Sequence, residues 1–388
     1  MRVLIGGFFG NIVGGAEKYI HEIGCEFVKL GFEHKVIIFS SIKMDLSNHY
    51  FNANNMNSSN ILNYCLDWKP DVLFANGMGN PLLEQALFSN IPTIQFAHAY
   101  AGCCISGTKT FSSSYIKICK KSLSIQCLFR YFPFRCGGLN PLTALRAFNR
   151  ERIRLKAFKR TRTICVASQH MRSVMIQNGI PEDKVRLLPL FPTHGEPDPA
   201  PPAPRPRTDK VLLAGRLTRL KGWTHLVPAI AMASKQLGRR LVLMVAGDGP
   251  DRGRLTLLAR KWDVPLEDHG WQASAGVTRL MREADLLAVP SLWPEPFGLV
   301  GIEAGCVGTP AVAYAVGGIP DWLVAGVSGE LAPAESLRPR PLADAIVRAL
   351  QDAGHWQRLR EGAWRQAGEF SRQRHIEQLV GILRGAMG

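Results

Sequence analysis

The sequence predicts an α/β protein made of two doubly wound, Rossmann-like domains, and three observations carry that expectation. Short apolar runs recur along the 388 residues. Amphipathic windows of helical period lie between them, and one proline-rich stretch divides the chain near its middle. The runs fall at residues 3–5, 35–39, 71–75, 93–97, 163–167 and 185–188 in the first half. In the second they fall at 210–214, 241–246, 286–289 and 310–313. Runs this apolar, alternating with helical windows such as 16–30, 224–237 and 252–262, describe parallel strands covered on both faces. That alternation builds doubly wound sheets. Seven prolines stand between Pro192 and Pro206, too many for a helix or a central strand, so residues 192–209 are expected to be a semi-rigid linker. The expected organisation is 1–191 with a basic insertion at 103–162, the linker 192–209, a second domain 210–368, and a helix at 369–388. The last carries Ile376, Leu379, Val380 and Leu383 at helical spacing, and it can brace the first domain or close the second.

Composition narrows the class. At 46% apolar and 20% charged residues, the chain can bury one large core or two ordinary ones, which excludes a disordered tail protein. Nine cysteines are ordinary usage and suit a reducing, cytoplasmic compartment. No run reaches the roughly 18 apolar residues of a spanning helix, and the N-terminal run from Val3 reads as a first strand rather than a leader peptide. The charge is uneven. Residues 109–162 hold fourteen Lys or Arg against one acid, Glu151, and so carry +13 of the formal +16. Phe111, Tyr115, Phe129, Tyr131, Phe132, Phe134, Phe148 and Phe158 are interleaved with them. This mixture suits an anionic membrane or lipid-phosphate surface. A solvated basic helix whose rings pack on the domain, or a nucleic-acid groove, has the same composition.

Parallel open sheets bind ligands at the carboxyl ends of their strands, and four turns there stand out. After the first strand, Gly6, Gly7, Gly10, Gly14 and Gly15 lead into a helix, where backbone can approach an anion closely. The spacing is not that of a dinucleotide fingerprint. After the strand at 210–214, Gly215-Arg216-Leu217 is followed by Lys221-Gly222, two cations that can converge on one multiply charged anion. After the strand at 286–289, a loop carries Glu295, and Phe297, Gly298 and Leu299 open a helix holding Glu303 among small apolar neighbours. A buried acid there needs a partner or a ligand. Finally, Gly317-Gly318 permits close approach near Asp321.

Together these residues resemble the retaining glycosyltransferases of family 4, which have the GT-B fold. The resemblance is specific in the second domain, in the order and spacing of Gly215-Arg216-Leu217, Lys221-Gly222, Gly247-Asp248-Gly249-Pro250, the E-x7-E pair Glu295 and Glu303, and Gly317-Gly318. It is looser in the first, where Gly14-Gly15-Ala16-Glu17 and His98 match. It implies a nucleotide-diphosphate-sugar donor, UDP- or GDP-linked, held in a cleft between an N-terminal acceptor-side domain and a C-terminal nucleotide-sugar-binding domain. Arg216 and Lys221 would bind the diphosphate and Glu303 the ribose. Glu295, with the amides of Phe297, Gly298 and Leu299, would bind the donor sugar, and Gly15, beside Gly14, the phosphate. His98 would face the donor sugar near the acceptor. It further implies transfer to a glycan or lipid-linked hydroxyl in surface polysaccharide or lipopolysaccharide assembly, peripherally at the inner membrane face. The sequence departs from the family at Ala99, where an acid or Asn often follows the histidine, and at Asp321, where Glu is usual. There is no D-x-D motif, so no metal and no other cofactor is expected for the reaction. No nucleic acid is expected as partner. The alternatives are a nucleotide-sugar epimerase of the same fold and a polyanion-binding protein using residues 109–162.

Five cysteines, Cys103, Cys104, Cys119, Cys127 and Cys136, fall within 34 residues. Cys104, Cys119, Cys127 and Cys136 could close a structural zinc site, but none is paired as C-x2-C, so ordinary packing is the leading expectation.

Overall fold

The structure, a computed structural model, describes residues 1–7, 15–39, 50–53, 56–112, 116–138 and 140–387. The chain forms two compact units, Met1–Pro189 with Gln373–Gly388, and Leu190–Arg372. The first contains β1 (Arg2–Gly6), α1 (Gly15–Lys29), β2 (Glu33–Ile38), β3 (Tyr50–Asn52), α2 (Ser58–Asp67), β4 (Val72–Ala75), α3 (Pro81–Asn90) and β5 (Thr93–Phe96). A hairpin, β6 (Thr110–Ser112) and β7 (Ile116–Ile118), follows, then α4 (Gln126–Tyr131), α5 (Pro141–Phe158), β8 (Thr163–Val166), α6 (Gln169–Gln177) and β9 (Val185–Leu187).

The seven-stranded sheet has the order β3-β2-β1-β4-β5-β8-β9, and every pairing is parallel. Its central strands are apolar on both faces because helices cover both: Val3, Leu4 and Ile5 of β1 and Val72, Leu73 and Phe74 of β4 are fully buried. Helix starts follow local chemistry. Asn80 accepts from the amides of Leu82 and Leu83 while Pro81 occupies the first turn of α3.

The second unit contains β10 (Lys210–Ala214), α7 (Trp223–Leu237), β11 (Val242–Ala246), α8 (Arg252–Lys261), β12 (Leu266–Asp268), α9 (Ser274–Glu283) and β13 (Leu286–Val289). It continues with α10 (Leu299–Cys306), β14 (Ala311–Tyr314), β15 (Gly329–Ala332), α11 (Pro339–Leu350) and α12 (Ala353–Gly368). Its parallel sheet runs β12-β11-β10-β13-β14-β15. All ten expected strands form. The short edge strands β3, β12 and β15 were not expected from sequence, because YFN, LED and GELA mix polar with apolar residues and form no continuous apolar run. The last helix, α13 (Arg372–Met387), lies almost wholly within the residues of the first unit. There His375 Nε2 stands 2.9 Å from Tyr19 Oη, and its Nδ1 2.7 Å from the Pro189 carbonyl.

The proline-rich stretch is bound to the second unit rather than spanning free. Arg205 donates to Asp285 (3.0 Å) and the Ala284 carbonyl (2.7 Å), Trp364 Nε1 to the Asp198 carbonyl (2.8 Å), and Arg360 to that of Ala203 (2.7 Å). Prolines leave carbonyls without a regular ladder, and side chains of α12 supply the donors.

The basic insertion departs from expectation. Of its aromatic residues, Tyr131, Phe148 and Phe158 are buried, whereas Phe129 and Phe134 are 76% and 44% exposed; Tyr115 lies outside the described residues. Tyr131 and Phe148 pack with Ile105 and Ala144 into a satellite core under α4 and α5. Lys109 and Arg154 are buried too. Arg154 donates through Nε to Glu84 (2.7 Å) and through Nη1 to Glu151 (3.1 Å). Glu151 also accepts the Gly102 amide (2.7 Å), and Glu84 the Met78 amide (3.0 Å). One guanidinium therefore ties α5 to α3 and to the turns after β4 and β5. Replacing it leaves the buried Glu84 carboxylate without a cation and Glu151 with Arg150 alone (2.7 Å), so Arg154→Met is expected to lower stability by about 3–5 kcal/mol. A denaturation midpoint within error of wild type would contradict this account.

Candidate functional site

Doubly wound sheets open at the point where strand order reverses. In the second unit that point lies between β10 and β13, and the turns leaving these two strands carry most of the expected residues. The turn after β10 folds closely on the turn after β11. Gly215 N–H donates to the Ala246 carbonyl (2.9 Å), and Leu217 N–H to that of Asp248 (2.8 Å). A Cβ at Gly247 would run into the Gly215 carbonyl oxygen, and one at Gly249 into that of Leu217. The Gly247-Asp248-Gly249 turn thus acts as a clasp that shapes the loop bearing Arg216. Arg216 itself is exposed and has no ion-pair partner among the described residues.

Lys221 ends the same turn, and Gly222, at φ 77°, starts α7. A Cβ there would strike the Pro290 carbonyl, so the chain comes within reach of the β13 loop only with glycine. Lys221 Nζ then meets Glu295 Oε1 at 2.6 Å. That oxygen also accepts from Ser291 Oγ (2.6 Å) and Trp293 Nε1 (2.9 Å). Glu295 is 4% exposed and Lys221 about a third exposed, so the carboxylate is inside and the lysine side chain is partly open to solvent. Gly317, at φ 61°, lies against the Glu295 backbone, and Gly318 N–H donates to the Glu295 carbonyl (2.7 Å). The second glycine pair therefore holds the acid's main chain.

Phe297 is buried, and Gly298, at φ 94°, caps α10. Trp322 sits across this turn: its Nε1 donates to the Phe297 carbonyl (2.6 Å), and its ring fills the space over Gly298 and Gly301. Leu299 opens the helix and Glu303 lies one turn in. From sequence, Glu303 has small apolar neighbours and needs a partner or a ligand. The structure supplies partners: Thr193 Oγ1 donates to Glu303 Oε1 (2.9 Å), and His194 Nδ1 lies 3.5 Å from Oε2. The proline-rich stretch folds back to supply both. Ser291, Trp293, Trp322, Thr193 and His194 were not singled out from sequence. The first two lie inside the motif loop, whereas the others had no local signal.

The remaining expected residues belong to the first unit. Gly15 opens α1 and is exposed; Gly14 lies outside the described residues. His98 follows β5, its ring stacked on Phe96 (centroids 4.4 Å apart, 28°) and edged by Tyr19 (5.2 Å). Its Nε2 is 2.9 Å from Asn76 Oδ1. The orienting partner that the family often places after the histidine is thus supplied here from the end of β4. Burial pushes the His98 pKa down to about 3, with the His375 charge a lesser cause. Burial likewise lowers His375 and His170 to about 4.

Cys104, Cys119, Cys127 and Cys136 do line one pocket, with Lys109 and Phe111. Among the described residues, however, no group of three or more His, Cys, Asp or Glu is arranged to hold a metal ion. Burial pushes the Cys136 thiol up to about 12 and raises Cys119.

Residues 196–366 match the family model described as glycosyl transferases group 1. The D-inositol 3-phosphate glycosyltransferase 1 of Catenulispora acidiphila is 36% identical over 193 residues, 46% of this chain and 44% of that protein. The D-inositol 3-phosphate glycosyltransferase of Saccharomonospora viridis is 36% identical over 192 residues, again 46% and 44%. The chain thus spans less than half the length of the curated relatives it matches. Among solved structures, Anabaena Alr3699/HepE in complex with UDP and glucose aligns with a TM-score of 0.73 at 19% identity, over 99% of this chain and 100% of that one. The apo lipopolysaccharide outer core galactosyltransferase WaaB aligns at 0.71 and 14%, over 99% of each chain. At such identities the likeness is one of fold, and the fold is GT-B.

Three histidines of the first unit stay neutral when folded, whereas unfolded rings titrate near 6.5. Below that pH the unfolded chain binds more protons, so their contribution to stability is present above about pH 6.5. It is lost as the pH falls toward 4 and 3, by up to about 1.4 kcal/mol per pH unit for each ring. Urea melts between pH 7.5 and 4.5 should show this decline, and His98→Gln with His375→Gln should flatten it.

Proposed function

We propose that this chain is a retaining glycosyltransferase that moves a sugar from a nucleotide-diphosphate donor to a hydroxyl of a glycan or lipid-linked acceptor. The observation that carries the reading is the Lys221 and Glu295 pair at the turning point of the second sheet, within the segment that matches the glycosyl transferase family model. In this reading Arg216 and the Lys221 ammonium receive the diphosphate. Glu295, with the Phe297, Gly298 and Leu299 backbone, receives the sugar, and Glu303 the ribose diol. His98, Gly14 and Gly15 keep the roles that the family resemblance gives them.

Charge develops on the diphosphate oxygen as the glycosidic bond breaks, and two preplaced cations favour that state over the ground state. The departing oxygen can take the proton of the acceptor hydroxyl on the same face, which retains the anomeric configuration. With two cations placed for the diphosphate and no D-x-D motif in the sequence, a divalent metal is not needed for this step. The UDP and glucose in the HepE structure support a UDP-sugar donor, with a GDP-sugar as the other choice. Placement in surface polysaccharide or lipopolysaccharide assembly rests on the family resemblance.

Binding is tested with UDP, GDP, ADP and their common sugar conjugates in a thermal-shift series. A nucleotide at 100 times its Kd should stabilise the wild type by about 2.7 kcal/mol, with no response from Lys221→Ala or Glu303→Ala. Lys221→Ala should also cost about 10²- to 10³-fold in kcat and, because it leaves the buried Glu295 carboxylate without its cation, should lower the unliganded melting temperature as well. Shifts from generic polyanions and from no nucleotide would favour the polyanion-binding reading. Conversion of the donor without acceptor would favour the epimerase.

The acceptor-side surface of this reading is an anionic membrane at the cytoplasmic face. Among the described residues no helix is long and apolar enough to cross a membrane. Ile125, Phe129, Phe134, Leu142 and Leu145 are exposed on a segment whose Lys120, Lys121, Arg135 and Arg146 are exposed too. Such side chains suit headgroup contact with shallow ring insertion. Sedimentation with vesicles containing phosphatidylglycerol should be salt-sensitive and should fall about tenfold or more for Phe129→Ser with Phe134→Ser. Equal binding to neutral phosphatidylcholine vesicles would count against it.

A further inference from the structure

We infer that Asn76 is a positioning residue that locks His98 in the tautomer with hydrogen on Nε2, leaving Nδ1 as a bare acceptor for a ligand hydroxyl. This rests on the reading above only for what the ring faces; the lock itself is a property of the first unit.

Asn76 follows β4 beside the turning point of the first sheet, between β1 and β4. Its backbone is pinned there, because its N–H donates to the Gly6 carbonyl at the end of β1 (2.7 Å). Its side-chain Nδ2 donates to the Phe74 carbonyl (3.3 Å). That bond decides which way the amide points, since an oxygen in that place would face another oxygen. Oδ1 is therefore the atom 2.9 Å from His98 Nε2. An amide oxygen only accepts, so Nε2 must donate, and a neutral imidazole has one hydrogen to give. Nδ1 is left with its lone pair, and among the described residues it has no hydrogen-bond partner.

The groups packed behind the ring keep this arrangement. The Tyr19 ring edges His98 and the His375 ring is 5.3 Å from that of Tyr19. His375 Nδ1 faces the Pro189 carbonyl (2.7 Å) and so carries the hydrogen; its Nε2 accepts from Tyr19 Oη (2.9 Å). The tyrosine hydroxyl is thereby committed to His375. Stacking on Phe96 holds the His98 plane, and a half-turn of the ring within that plane would lose the Nε2 contact with Asn76.

The consequence is chemical selectivity. A bare Nδ1 accepts from a hydroxyl and repels a group that only accepts, such as a carboxylate or a phosphate oxygen. A sugar with a hydroxyl at that place is favoured over its uronic-acid counterpart, and the protein makes this choice through an amide 22 positions back, at the end of the neighbouring strand.

The test is long-range ¹H–¹⁵N NMR of the histidine rings in the full chain, with His98 assigned by the signals lost in His98→Gln. The expected wild-type pattern is a protonated Nε2 and a bare Nδ1, unchanged from pH 8 to 5. Asn76→Leu should give a mixture of tautomers and Asn76→Asp a ring carrying both hydrogens at neutral pH. Asn76→Leu should also lower kcat by about tenfold to a hundredfold with nucleotide binding retained, and narrow the preference for a hydroxyl over a carboxylate on the sugar. A wild-type ring with hydrogen on Nδ1, or an Asn76→Leu spectrum identical to wild type, overturns the inference. The wild-type spectrum decides even if the variants fail to fold. Because it needs no substrate, it also separates failure of the lock from failure of the glycosyltransferase reading.

Discussion

The second unit depends on keeping one carboxylate charged while it is almost wholly removed from water. Glu295 is 4% exposed, and an unpaired acid there would cost several kcal/mol. Three donors converge on its Oε1, two of them from its own loop and the third from Lys221 at the end of the turn after β10. The loops after β10 and β13 are therefore coupled: each is shaped to bring one member of the pair to the other. The glycines serve the same end. Gly222 lets the lysine turn approach Pro290, and Gly317 lets the next turn lie against the Glu295 backbone.

The first unit solves the opposite problem, keeping polar rings buried without charge. His98, His375 and Tyr19 sit among aromatic side chains, and each finds a neutral partner: an asparagine oxygen, a backbone carbonyl, an imidazole nitrogen. Nothing there can stabilise a proton at neutral pH, which is why burial dominates their titration. The basic insertion follows the same economy. Arg154 is consumed by two buried acids, whereas the residues that could meet an anionic surface stand on the outer side of α4, α5 and the segment between them.

Much of this was legible in the sequence, for identifiable reasons. Parallel strands buried on both faces advertise themselves as continuous apolar runs, so all ten expected strands form. The edge strands at 50–52, 266–268 and 329–332 are too short and too mixed to carry a period. Of the candidate site, Arg216, Lys221 and Glu295 were readable because they lie in turns after strands, and Glu303 because it sits one turn into the helix that follows. Thr193 and His194 were not, because they reach Glu303 across 110 and 109 positions, and a proline-rich stretch gives no hint of where it folds back. The aromatic count in the insertion misled for a related reason, since composition cannot say which face of a helix is inside.

By itself the sequence determined the doubly wound α/β sheets and the glycine-rich strand-to-helix turns that carry charged side chains, because these depend on local periodicity and on residues close along the chain. Only the tertiary structure decided which partner each charged or titratable group meets. Glu295 with Lys221, Arg154 with Glu84, and His98 with Asn76 are separated by 74, 70 and 22 positions. Their pairing follows from parallel strand order and close glycine contacts, which bring distant turns to the same end of a sheet.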